Sequence, residues 1–156
     1  MKQAGTQSRA IAMTDLYEKD FYAWTQQTAV AIKNRQFDAV DWDNVVEEIE
    51  SLGSSDRDKL ISSLKVLIAH LLKWQYQPQK RSKSWEDTIF RERENIEEYL
   101  EDMPSLKQFL NSEEWLVKAY KRGRRIAGRE TGLGEKVFPQ TCPYSVEQIQ
   151  NFDYLP

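Results

Sequence analysis

After residues 1–13, which are polar, lack periodicity and read as a mobile tail, the apolar residues of the chain recur at helical spacing. Tyr17, Phe21, Trp24, Thr28, Ala31 and Arg35 follow at alternating steps of four and three, so they share one face and predict a first helix near 15–35. Asp41 stands where an N-cap belongs for a second helix. There Trp42, Val45, Val46, Ile49 and Leu52 form an inner stripe, and Gly53 supplies a left-handed stop. Ser55 and Asp58 have capping-box spacing ahead of a third helix, whose run from Leu64 to Leu72 is apolar on nearly every side. Such a helix belongs at the centre.

Pro78 ends that helix, and residues 77–83 form a polar, basic connection. Ser84 and Asp87 repeat the capping spacing for a fourth helix, with Trp85, Ile89, Ile96, Leu100 and Met103 inward and Pro104 as its breaker. Leu106, Phe109 and Leu110 begin a fifth stretch. Ser112 can re-cap it, and Leu116, Tyr120, Gly123 and Ala127 carry its apolar face to about Glu130, where Gly132 and Gly134 close it. The remainder, 133–156, holds three prolines and no long period. Ser145 and Gln148 can cap one or two turns there, and Phe138, Tyr144, Phe152 and Tyr154 are expected along the outside as apolar staples. No segment alternates long enough to predict a strand. The expected fold is therefore all-α: one domain over 14–156, an antiparallel bundle of about five helices with an irregular C-terminal tail docked outside.

Composition narrows the class. With 156 residues, 40% of them hydrophobic and 12% aromatic, the chain can bury one core. Its single cysteine, Cys142, excludes an internal disulfide framework and a Cys-rich zinc module, and fits a reducing cytoplasm. No apolar run approaches the roughly 20 residues of a membrane span, and the N-terminus lacks the apolar core of a signal peptide.

Several strings carry a family resemblance. They are Asp20-Phe21-Tyr22-Ala23-Trp24; Asp41-Trp42 followed by Glu47-Glu48-Ile49-Glu50-Ser51-Leu52-Gly53; His70-Leu71-Leu72-Lys73-Trp74-Gln75-Tyr76-Gln77-Pro78; Ser82-Lys83-Ser84-Trp85; and Cys142-Pro143-Tyr144-Ser145. In these, and over almost everything from Asp15 to Pro156, the chain resembles the bacterial family catalogued as domain of unknown function 29, abundant in cyanobacteria. The resemblance implies an all-helical fold and brings no catalytic residue with it. Residues 1–12 fall outside it, which makes Met13 a candidate natural start.

Two constellations stand out as candidate chemistry. Glu48 and Glu50 project about 100° to either side of Ile49, and His70 lies near the end of the central helix. If the second and third helices form a hairpin, a glutamate approaches that imidazole as an acid/base pair or part of a metal shell. Against this stand the absence of a Glu-x-x-His pair and of His-x-x-x-His spacing, and the plainer reading of a hydrogen-bonded structural histidine. Arg93 points inward on the fourth helix and calls for a carboxylate, Glu48 or Glu50, unless its stem lies along the core edge with the guanidinium in water. The second constellation is a basic stripe, Lys118, Arg122, Arg125 and Arg129, opposite the apolar face of the fifth helix. Glu94, Glu98, Glu101 and Asp102 make an acidic face on the fourth.

The basic stripe suits phosphate contact, with Lys80, Arg81 and Lys83 nearby if the linker folds over it. The rival reading is a solvated face that complements its helix dipole. A sequence pI of 5.3 and the lack of a recognition module weigh against nucleic acid. There is no Gly-rich phosphate loop and no nucleophile elbow; Gly132-Leu133-Gly134 has neither the length nor the setting, and Cys142 reads as a packed thiol. The expectation is a cytoplasmic, non-enzymatic interaction or regulatory module that engages a protein partner or a second copy. Nucleic-acid association is the alternative, a His/carboxylate or metal-dependent enzyme comes third, and no cofactor is implied.

Overall fold

The computed structural model describes residues 13–156, and the fold is all-α, with seven α-helices and no strand among the described residues. Apart from Met13, which is helical and buried, the predicted mobile tail lies outside the described residues. The chain divides into two compact units, residues 1–54 and 55–156.

In the first unit the predicted helix at 15–35 is two helices, α1 at 13–19 and α2 at Phe21–Lys33. Asp20 separates them because its side chain accepts the amide of Ala23 at 3.0 Å, which starts a new helix instead of continuing the old one. α2 buries Trp24, Thr28 and Ala31 of the predicted face, whereas Phe21 on the same face is 48% exposed, and Tyr17 meets Trp24 edge-on at 4.9 Å. Asn34 and Arg35 end it. Arg35 takes a left-handed conformation with φ 57°, and the amide of Gln36 closes back on the carbonyl of Ala31. A short 3₁₀ turn, Phe37–Ala39, leads to Asp41, whose side chain accepts from Asn44 as a cap should.

The largest departure from expectation follows. Trp42–Tyr76 is one helix of 35 residues, α3, so Gly53 does not stop it and the hairpin predicted between the second and third helices does not form. A glycine inside a helix costs about 1 kcal/mol relative to alanine, less than renucleating a helix two residues later would.

In the second unit α3 supplies the middle of the core through Leu60, Leu64, Leu67, Ile68, Leu71 and Leu72. Pro78 ends it in a 3₁₀ turn, and α4, Lys83–Asp102, returns alongside. Its cap is Ser82, which accepts from Trp85, and not the predicted Ser84. Lys73 packs on the Trp85 ring near one end of the pair, while Val66 and Glu92 line a common groove toward the other; α3 and α4 are antiparallel. After Pro104 the expected fifth stretch comes in two pieces, α5 at Lys107–Leu110 and α6 at Glu113–Thr131, with Ser112 at the junction as its position predicts. α6 runs parallel to α3: Arg57 meets Trp115, Lys65 and Ile68 meet Gly123, and Lys73 meets Glu130. The three long helices thus go up, down and up.

Gly123 sets the closeness of that last pair, because a Cβ there would sit 2.8 Å from the carbonyl oxygen of Lys65 and 2.9 Å from Ile68. Gly132, at φ 70°, closes α6 as predicted. The C-terminal segment docks on α4 and α6, and its apolar side chains complete the core. Phe138, Tyr144 and Ile149 are buried members of the core; Tyr120 donates to the carbonyl of Pro139 at 2.6 Å, and Tyr144 donates to Gln75 at 2.8 Å. Of the four predicted staples Tyr154 is half-buried, and Phe152, 36% exposed, lies edge-on to Phe90. The Ser145–Gln148 capping box opens α7, Val146–Gln150.

Candidate functional site

The apolar stripe of α3 does not stay buried along its length. In the first unit Trp42, Val46, Ile49 and Leu52 are 46%, 51%, 63% and 69% exposed, where the spacing predicts an inner stripe. Periodicity identifies the residues that share a face, and here no described element covers it. At about 100° per residue these four, with half-buried Val45, span an arc of roughly 120°. Asp43 and Glu50 border one edge, with Glu47 beyond them, and Glu48 borders the other. Trp42 is fixed, since its indole N–H donates to the carbonyl of Phe37 at 3.1 Å and its ring lies 6.3 Å from that of Phe37. Glu48 is fixed too: Tyr17 donates its hydroxyl to it at 2.6 Å, and that bond pushes the Tyr17 pKa up to about 12. The surface is thus an apolar strip with a rigid indole at one end and carboxylates along both edges.

The residues expected to converge on His70 have other partners. Glu48 is held by Tyr17, and Glu50 is exposed. Both lie in the N-terminal part of α3 and His70 in its C-terminal part, so the hairpin that would juxtapose them is replaced by continuous helix. His70 Nδ1 donates to the carbonyl of Val66 at 2.9 Å, the preceding turn of its own helix. Burial lowers its pKa, the Lys73 ammonium adds to that, and the Val66 hydrogen bond opposes both. Of the two readings of Arg93 the buried one holds, but its partners are backbone and not a carboxylate: Nε donates to Ile149 O at 2.8 Å and Nη2 to Gln148 O at 3.1 Å. Among the described residues no group of three or more His, Cys, Asp or Glu side chains is placed to hold a metal ion.

Sequence reasoning missed an ion pair with one buried member instead. Lys73 is buried, and its ammonium lies 2.7 Å from Glu130 and 4.7 Å from the centroid of the Trp85 ring. Fifty-seven residues separate the partners, beyond any local pattern.

Lys118, Arg122, Arg125 and Arg129 all face solvent on α6. Lys118 lies over Trp115 and Arg125 approaches Glu135 at 3.6 Å. Cys142 is half-buried; its thiol reaches the carbonyl of Tyr144, and burial pushes its pKa up, which disfavours the thiolate a nucleophile needs.

A family model described as "Domain of unknown function DUF29" matches residues 16–155. The chain belongs to the DUF29 family. No curated protein and no solved structure matches it. The matched span takes in both units of this DUF29 chain, including α2, the whole of α3 and the C-terminal segment that completes the core. No helix of the described residues is long and apolar enough to cross a membrane.

Proposed function

We propose that this DUF29 chain is a cytoplasmic protein-interaction module that docks an amphipathic helix, apolar along one seam and rich in Lys and Arg beside it, on the N-terminal part of α3. The observation that carries the reading is the exposed strip of Trp42, Val46, Ile49 and Leu52. An amphipathic helix recognises its partner through anchors at this three-and-four spacing, and a continuous apolar strip with polar edges is how such a groove begins. The edge carboxylates Asp43, Glu48 and Glu50 choose the partner's charge. A second copy offering the same face would set acid against acid, whereas a basic-edged helix gains both burial and charge complementarity.

A fluorescently labelled Leu/Lys amphipathic peptide, compared with a Leu/Glu peptide of the same pattern, tests this by anisotropy. Saturable binding of the Leu/Lys peptide, lost in Ile49→Asp/Leu52→Asp, is expected. Equal binding of both peptides, or binding indifferent to that variant, contradicts the reading.

Association with nucleic acid is the second reading, supported by the four solvent-facing cations of α6. Titration with a short duplex at low salt tests it. Binding that is undetectable, or unchanged by Arg122→Glu/Arg125→Glu, removes it.

A further inference from the structure

We propose that the cavity between α4 and the C-terminal segment of the second unit binds a free α-amino acid with an apolar side chain, its carboxylate on Arg93 and its ammonium at Glu97 and Glu101. This site is separate from the docking strip and does not depend on it. The cavity measures about 270 Å³, and Arg93, Ile96 and Leu100 are the buried residues of its lining. Arg93 is only 2% exposed. Its Nε and Nη2 are spent on the carbonyls of Ile149 and Gln148, while among the described residues Nη1 makes no hydrogen bond and no carboxylate pairs with the guanidinium. Two carbonyl dipoles do not cancel a full charge taken out of water, and the guanidinium's remaining N–H groups form the planar fork that matches a carboxylate.

The rim decides between kinds of anion. Lys107 adds a second cation there, yet Glu97 and Glu101, one turn apart on α4 and both exposed, line the same cavity. Two carboxylates at the mouth repel a simple anion or a phosphate. A zwitterion satisfies both ends, with its carboxylate inside against Arg93 and its ammonium outside against the glutamates. Ile96 and Leu100 supply an apolar floor, and Phe152, propped edge-on by Phe90 at 5.2 Å, supplies a wall against which an aliphatic side chain can lie.

Calorimetric titration of the full chain with leucine, leucinamide and N-acetyl-leucine tests the assignment, because the second compound lacks the carboxylate and the third the ammonium. Leucine is expected to bind saturably at one site, and each analogue at least about tenfold more weakly. The variant Glu97→Gln/Glu101→Gln changes only exposed side chains and preserves the fold. It is expected to erase the preference for leucine over N-acetyl-leucine, and Lys107→Met to weaken both. Absence of saturable leucine binding overturns the proposal, as does leucinamide or N-acetyl-leucine binding as tightly as leucine, or a preference that survives the double variant.

Discussion

The Lys73 ammonium lies 2.7 Å from the Glu130 carboxylate, joining the C-terminal turns of two helices that run parallel through the second unit. Lys73 is buried and Glu130 about half-exposed, so the pair is asymmetric: removal of the carboxylate strands a buried cation, with only the Trp85 face beside it. Glu130→Gln is expected to cost about 1–2 kcal/mol at neutral pH, below the range for fully buried pairs because water reaches the glutamate. Urea unfolding measures it.

Two neighbouring groups set the response to acid. The hydrogen bond from Lys73 holds the Glu130 carboxyl below its ordinary 4.5, so its contribution is complete above that value and is lost as pH falls through the folded pKa. Burial holds the His70 imidazole below its ordinary 6.5, so the unfolded chain takes up that proton first and stability falls as pH drops below 6.5. Unfolding free energies at about pH 7.5 and pH 5.5 are expected to show a loss in the native protein that is largely absent in His70→Gln.

Gly53 and Gly123 are expected to respond oppositely to alanine. At Gly53 nothing lies within 4 Å of a new Cβ, and the gain is about 1 kcal/mol of helix propensity. At Gly123 the Cβ meets the Lys65 carbonyl at 2.8 Å, and forcing α3 and α6 apart outweighs the same propensity gain, for a net loss of about 1–3 kcal/mol. Thermal unfolding of the two variants checks the signs.

Arg35→Gly addresses backbone strain at the end of α2. With φ at 57°, an L side chain pays about 1 kcal/mol that glycine does not, partly offset by glycine's greater unfolded-state freedom. A stabilisation of about 0.5 kcal/mol is expected in urea unfolding.

Much of this fold was legible because its punctuation is local. Pro78, Pro104, Gly132 and the Ser145–Gln148 box act on their immediate neighbours, and each does so where the sequence places it. Gly53 misled because a glycine ends a helix only when the chain beyond it has something better to do, and here the next residues continue the helix. Ile49 and Leu52 misled for a different reason: spacing shows that they share a face with Trp42, but only the three-dimensional arrangement shows whether anything lies on it. The inward position of Arg93 on α4 is legible in its spacing, while its partners, two backbone carbonyls some 55 residues away, leave no mark in side-chain pattern.

Chemical-shift mapping of the full chain against the Leu/Lys amphipathic peptide asks whether the exposed strip of α3 is a docking face. Saturable shifts are expected at Trp42, Val46, Ile49 and Leu52, with little change at Lys118, Arg122 and Arg125. Shifts confined to other surfaces, or none at the strip at saturating peptide, would contradict it.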